Sequence, residues 1–536
     1  MLRAYALPRC LTVVLTSMVL SASLCLLAPQ TVNAVHPELE HTSELLGDGL
    51  YYDAFTKLAK LIPTLSVESA DRSAAQMLMS KALMKLELYQ SALRSLDAVR
   101  VAPGHSFYKE KISSYLAIQR VLPGNLATVE RLNEAKSVVF SAKDLPELNY
   151  LLGRYHFDAQ EYDSALSKLR VTLPTAGEFY LKARYLMGVI YAAKKQYRLG
   201  LNAFKDLLRF ADRVGRPDYY GPYEQRALTA LGRLLFSQGK HEAAGRYYDR
   251  IKEGTSFWLD SLFELGWTYF HLRQFDRVLG QLHTLNSPYF EDRYYPEARV
   301  LEALILFRTC RFPETLVVVQ RFLRDYKPLR KELDNQLGGD RTDAEFYWYL
   351  ARLAGEKEEL SVALRRIFNA ALNDKELQRM FTLVSKLGAE QRRLQKLKRN
   401  TDAPKTAQKL IDDLGRVRNV MISEAGAMAR LRLTQVRQEL TEIIRQGLRI
   451  KYETLKARRN SINDKVRRAM AETAASVSKP RNKDAEHVVW PFDGTYWRDE
   501  LGGYTYQIQS KCKPKHFPSG WKGRKPVAAS AAKSGK

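Results

Sequence analysis

Catalysis and metal binding need particular side chains at particular spacings, and few such constellations occur in this chain. His241-Glu242 begins the zinc-protease pattern, but Gly245 stands where the second ligating histidine would fall. The nine histidines are otherwise scattered without ligand spacing, and neither a G-x-S-x-G elbow nor a P-loop is present. No catalytic residue, metal site or cofactor is therefore expected. The one chemically dense stretch is WPFDGTYWRDELGGYTYQIQSKC, residues 490 to 512. Trp490, Trp497, Tyr504 and Tyr506 are large aromatics that could anchor a protein partner. They could instead stack on a sugar, with Asp493, Asp499 or Glu500 as hydrogen-bond acceptors. Asp499 and Glu500 point to different sides of any helix, however, and do not make an acid/base pair.

The local pattern says how this stretch would be built. Val488, Trp490 and Phe492 alternate along one side, as do Tyr504, Tyr506 and Ile508, which is the period of a half-buried strand. Asp493-Gly494 is a turn signal, Thr495 can cap a short helical turn, and Gly502-Gly503 ends it. These features predict a small β-hairpin-like unit over residues 479–512. An isolated hairpin is marginal in water, so its aromatic face must cover something. Packing of Trp490, Trp497 and Tyr504 on the end of the preceding helix, docking of a partner, and sugar stacking all remain open.

What precedes the unit is helical and periodic. Small residues recur in pairs twelve apart, each pair in the same apolar frame: YLLGRYHFDAQEYDSALSKL from Tyr150, YLMGVIYAAKKQYRLGLNAF from Tyr185, TALGRLLFSQGKHEAAGRYY from Thr229 and FELGWTYFHLRQFDRVLGQL from Phe263. Gly153, Gly188, Gly232 and Gly266 fill the first slot; Ala165, Gly200, Ala244 and Val278 fill the second. Ser80 with Ala92, and Ala303 with Thr315, are weaker instances. Small residues so placed let two antiparallel helices approach closely, while the large residue four positions after the second slot (Leu169, Phe204, Tyr248, Leu282) is expected to pack on the next pair.

This pattern of Leu-Gly, aromatic, Ala and Phe resembles the tetratricopeptide repeat (TPR). Intervals between first slots are 35, 44 and 34 residues, against a repeat of about 34, with GRPDYYGPYE near residues 215–224 as an insertion. The chain departs from the consensus in lacking the early Trp and most terminal prolines. The resemblance implies an α-solenoid, assigned to residues 35–350, whose groove takes proteins or peptides.

From residue 351 to 478 glycine and proline thin out and charge rises. Leu377, Met380, Val384 and Leu387 form one apolar seam; Leu410, Leu414, Val417 and Met421, continued by Val436, Leu440, Ile443 and Ile450, form another. RNTDAP, residues 399–404, separates them. A long, coiled-coil-like helical hairpin follows, through which oligomerisation is conceivable. The fold class is thus all-α, a TPR-type solenoid followed by long helices, with a small aromatic hairpin unit near the end.

The 536 residues carry a net charge of +26, which needs anionic company or solvent. Arg3 and Arg9 precede LTVVLTSMVLSASLCLLA, and Val32-Asn33-Ala34 fits a cleavage site. Residues 1–34 therefore read as a signal peptide, or as an uncleaved anchor, and Leu24 is too large for Cys25 to begin a lipoprotein. Export to the periplasm, with association at the outer membrane as one option, argues against a nucleic-acid partner. It leaves an anionic envelope polymer or lipid as a candidate for the basic tail, residues 513–536. Beyond residue 34 only Cys310 and Cys512 remain; with Cys310 in an expected helix far from Cys512, two separate thiols is the simpler expectation. Finally, WPFDG followed by YWRDELGGY is similar to the C-terminal stretch of envelope TPR proteins linked to gliding motility in deltaproteobacteria. That resemblance implies a non-enzymatic envelope scaffold in a multiprotein machine; the alternative is a cell-wall or surface-polysaccharide binding protein using the aromatic unit and tail.

Overall fold

The computed structural model describes residues 36–103, 105–135, 140–290, 293–355, 360–469 and 494–512. The expected signal peptide, Val488, Trp490, Phe492 and the basic tail lie outside the described residues.

Eight antiparallel helix pairs come first: α1 (Pro37–Gly47) with α2 (Tyr51–Leu61), α3 (Ala70–Lys85) with α4 (Tyr89–Asp97), α5 (Ser106–Val121) with α6 (Leu126–Glu134), and α7 (Leu145–Asp158) with α8 (Tyr162–Arg170). They continue with α9 (Glu178–Ala193) and α10 (Tyr197–Val214), α11 (Pro217–Ser237) and α12 (His241–Tyr248), α13 (Trp258–His271) and α14 (Phe275–Leu285), and α15 (Pro296–Arg308) and α16 (Phe312–Leu337). Each pair packs on the next, as in a solenoid. The insertion GRPDYYGPYE is mostly helical: after Gly215 and the N-cap Arg216, residues 217–224 form the first turns of α11, with Pro222 inside the helix.

The turns within pairs share one device. Glu87, Gly124, Gln160, Lys195, Gly239, Arg273 and Cys310 each have a left-handed backbone, a conformation that ends a helix sharply. In most of these turns the next amide then reaches back to close the helix end: Leu88 N donates to Leu83 O at 2.8 Å, Gln196 N to Tyr191 O at 2.8 Å and Arg311 N to Leu306 O at 2.8 Å. Cys310 therefore sits on a tight turn, not within the helix expected for it.

After the pairs come α17 (Asp343–Gly355), α18 (Val362–Leu372), α19 (Lys375–Asn400) and α20 (Pro404–Ala469). α19 and α20 form the expected antiparallel hairpin, broken at residues 401–403. At 66 residues and about 1.5 Å rise per residue, α20 is roughly 100 Å long. Its apolar seam is spent on the solenoid. Leu414, with Leu383, Leu387, Leu394 and Leu397 of α19, joins a core built by α1 to α7. Leu433, Leu440, Ile443 and Ile450 join a second core that runs from α9 to α18. The long hairpin is thus a brace spanning early and late repeats.

Among the described residues the expected β-hairpin is not seen: residues 494–512 contain no strand. They form a strap with a 3-10 turn at Arg498–Glu500, extended backbone at Leu501, and chain without regular structure from Tyr504 on. The two-residue alternation is that of a strand, but here its neighbours are helices.

Candidate protein-interaction site

The repeat slots are close approaches between paired helices. A Cβ at Gly153 would meet Leu169 at 2.6 Å, one at Gly188 would meet Phe204 at 2.5 Å, and one at Gly232 would meet Tyr248 at 2.4 Å. The large residue therefore packs over the glycine of its own pair, and Leu169 and Phe204 also share a core with the first helix of the next pair. Ala165, Ala244 and Val278 are fully buried in the second slot, and a Cβ at Gly200 would meet the Gly188 carbonyl at 3.2 Å. Gly266 differs: its nearest neighbours, Leu301 and Val278, stand at 3.6 and 3.9 Å and leave room for a methyl group.

Of the four candidate docking aromatics, Trp490 lies outside the described residues and the other three belong to the strap. Tyr504 is buried against the solenoid, not on the end of the long helix. Its ring meets the edge of His283 of α14, on which Tyr496 stacks at 4.5 Å. Its hydroxyl accepts from Trp497 N at 2.8 Å and donates to Trp497 O at 3.0 Å, closing the strap on itself. Tyr506 hydrogen-bonds the His283 ring at 3.1 Å. Trp497 is 43% exposed and Tyr506 39%, so these two still offer surface.

Backbone contacts fix the strap along α14 and α15. Gly502 N donates to Thr284 Oγ1 at 2.8 Å, Gln281 Nε2 to Gly502 O at 3.1 Å and Tyr506 N to Asp276 O at 3.1 Å. Lys511 N donates to Thr309 O at 2.8 Å, and Lys511 Nζ pairs with Glu314 at 2.9 Å. Gly280 has no side chain because the strap occupies that space. The end of the strap is covalently tied by a Cys310–Cys512 disulfide, with Cα atoms 5.0 Å apart. The expectation of two separate thiols fails because the α15–α16 turn presents Cys310 outward to the returning chain.

The brace is held as firmly. Glu390 of α19 is 2% exposed and caps the start of α4. Its carboxylate accepts Gln90 N and Ser91 N, each at 2.9 Å, and Ser91 Oγ at 2.8 Å. Burial pushes this carboxyl up, against the pull of those donors. Thr56 and Thr401 hydroxyls meet at 2.7 Å, Arg393 pairs with Glu87 and Arg94 with Asp413. A 320 Å³ cavity remains between α4–α6 and α20, lined by Thr128, Tyr115, Leu414 and Arg131 among others.

One surface gathers cations in excess of its acids, Asp158 and Glu376. Arg154 on α7, Arg226 on α11, and Lys375 and Arg379 in the first turns of α19 lie within electrostatic reach of one another. Burial first, then its neighbours' like charge, holds Lys375 below the ordinary lysine range; Arg379 is depressed by burial and Arg154. Among the described residues Arg154 pairs with Asp158 at 3.4 Å, whereas no carboxylate forms an ion pair with Arg226, Lys375 or Arg379. Arg226 lies over the rings of Tyr185 and Tyr223, 5.5 and 5.9 Å from their centroids. The arrangement suits an anionic, partly apolar protein segment. Sequence reasoning missed it because its members are distant in the chain. Among the described residues no group of three or more His, Cys, Asp and Glu could hold a metal, and no helix is long and apolar enough to cross a membrane.

The glycine-slot pairs, the shared left-handed turns and the stacked antiparallel helices define a TPR-like α-solenoid. No protein-family model and no curated protein matches the chain. Among solved structures it is similar to the apo form of RapI, at 12% identity and a TM-score of 0.31, covering 79% of this chain and 98% of that one. It is also similar to a tetratricopeptide repeat protein from Parabacteroides merdae (12%, TM-score 0.23, covering 53% and 91%). A Rap protein complexed with competence and sporulation factor is a further neighbour (12%, TM-score 0.26, covering 72% and 99%).

Proposed function

We propose that this chain is an exported, non-enzymatic scaffold that holds an acidic protein partner within a multiprotein envelope assembly. The observation that carries the reading is the unbalanced cationic surface of Arg226, Lys375 and Arg379 beside Tyr185 and Tyr223. Cations in excess of the neighbouring carboxylates, at the meeting of repeat and brace, are poised for an anionic segment. Export and a periplasmic location are supported by the basic and apolar segment at residues 1–34 and by the Cys310–Cys512 disulfide, a bond that persists in oxidising compartments. The similarity of WPFDG and YWRDELGGY to envelope TPR proteins of gliding motility makes a motility machine the assembly of choice. Cell-wall binding through the aromatic unit has less to work with, since Tyr504 is committed to the solenoid.

A photo-crosslinking residue at Tyr223 tests this in the native host. An adduct with one protein, abolished by Arg226→Glu with Arg379→Glu in a chain of unchanged helicity, is the expected result. Equal adduct yield in the charge-reversed chain would refute it. Mass tagging of free thiols in rapidly quenched cells should label neither cysteine; labelling of both would refute export.

A further inference from the structure

α20 is two-faced near its end. On one side Ile443, Ile450 and Thr454 are buried against the repeats. On the opposite side Leu448, Tyr452, Leu455 and Ile462 are 40%, 64%, 48% and 49% exposed. At about 100° per residue these four share an arc of roughly 80°, the narrow seam of a coiled coil rather than the broad face of a globular helix. In heptad terms Leu448, Leu455 and Ile462 occupy d, and Tyr452 and Arg459 occupy a. The flanking e and g positions include Lys456, Lys451 and Arg458, while Glu453 lies on the far side.

We propose that this seam docks an acidic amphipathic helix of a partner protein. Charge decides the occupant. A second copy of this chain would set lysine and arginine against lysine and arginine at e and g in either orientation, and would place Arg459 in the seam opposite basic neighbours. An anionic membrane would also meet the basic flanks, but surface-lying helices sink a wide apolar face, and Arg459 splits this narrow one. A helix with apolar a and d residues and glutamates at e and g satisfies both the seam and its flanks, with one acid facing Arg459. The surface lies on another element from the Arg226 cluster, so the two docking sites stand or fall separately.

The test uses the full chain and a fluorescent synthetic helix of three heptads, with Leu at a and d and Glu at e and g; a twin carries Lys at e and g. The Glu helix should bind, more weakly as salt rises, and the Lys twin should not. Leu455→Asp and, separately, Lys456→Glu with Arg458→Glu should each weaken binding about tenfold or more, a change of about 1.4 kcal/mol. Leu455 is exposed, so circular dichroism of the variants should match the parent. No binding of the Glu helix, as would follow if residues 470–493 of the same chain cover the seam, overturns the proposal. So does binding indifferent to Leu455→Asp. A dimer in sedimentation that Leu455→Asp disperses would assign the seam to a second copy. Flotation with phosphatidylglycerol vesicles, lost in Leu455→Asp while the peptide is ignored, would assign it to a membrane.

Discussion

Gly280→Ala separates the strap from the helix beneath it. In α14 taken alone the change should help, since alanine is favoured over glycine in a helix interior by about 1 kcal/mol. The strap reverses the sign. The new methyl group would stand 1.5 Å from the Tyr504 carbonyl oxygen and 2.4 Å from its carbon. Reaching ordinary contact requires the strap to retreat by roughly 2 Å, more than the hydrogen bonds at Gly502 and Tyr506 can stretch. Three such bonds are lost, at about 1 kcal/mol each, together with part of the burial of Tyr504 and Leu501, about 1.5–3 kcal/mol for a full side chain. Strap docking should weaken by about 3–5 kcal/mol, which raises local opening by roughly two to three and a half orders of magnitude. Hydrogen exchange by mass spectrometry should therefore accelerate across residues 496–508 while α14 keeps its protection. Because the disulfide survives, the strap stays tethered, and its reduction by dithiothreitol should become faster. Unchanged exchange at Gly502 and Tyr506 would refute the docking described here.

Gly188→Ala and Gly232→Ala should each lower stability by about 1–3 kcal/mol through overpacking, whereas Gly266→Ala should leave the melting temperature equal or higher; uniform effects would show that the slots are not equivalent to these contacts. Glu390→Gln turns an NH2 toward an α4 amide and should cost about 1–3 kcal/mol, with faster exchange at Gln90 and Ser91; unchanged exchange there would refute the capping role. His241, His271 and His283 are all held below the ordinary histidine range by burial, and His271 also by His241 stacked on it. The unfolded chain thus takes up protons first, so stability present above about pH 6.5 is lost as pH falls through that value. Buried carboxyls such as Glu390 are pushed up and act with the opposite sign, so the check is a difference between chains. On acidification from pH 7.5 to 5.5 the urea midpoint of His271→Phe should fall less, or rise more, than that of the parent, and equal changes would contradict this.

The sequence speaks clearly where contacts are local and periodic. Gly153, Gly188 and Gly232 stand sixteen residues from the rings or aliphatic tips that cover them, inside one unit, so the repeat itself announces them. Cys310 was legible by the same rule: it falls seven residues after Ala303, as Gln160 does after Gly153 and Arg273 after Gly266. That register, had it been carried into the weakest unit, would have put the cysteine on a turn. Gly280 and Gly426 could not be read this way. Their missing side chains answer to Tyr504 and to Asp343, and nothing local in a helix says which distant backbone will cross it. The alternation of Tyr504, Tyr506 and Ile508 was real but underdetermined, because chain laid along a helix and chain in a sheet share one period. The cations of Arg226 and Arg379 converge only because α19 returns to the repeats.

The buried cap of Glu390 on α4 joins residues 300 positions apart. A free-standing solenoid can add units in chain order, each finished by its neighbour. Here the early repeats are finished only when α19 arrives. At synthesis rates of about 5–20 residues per second, that wait is roughly 15–60 s. During it the apolar edges of α1 to α7, and the bare amide end of α4, have nothing of their own to cover them. A cell making this protein must shelter its first third until its last third is born.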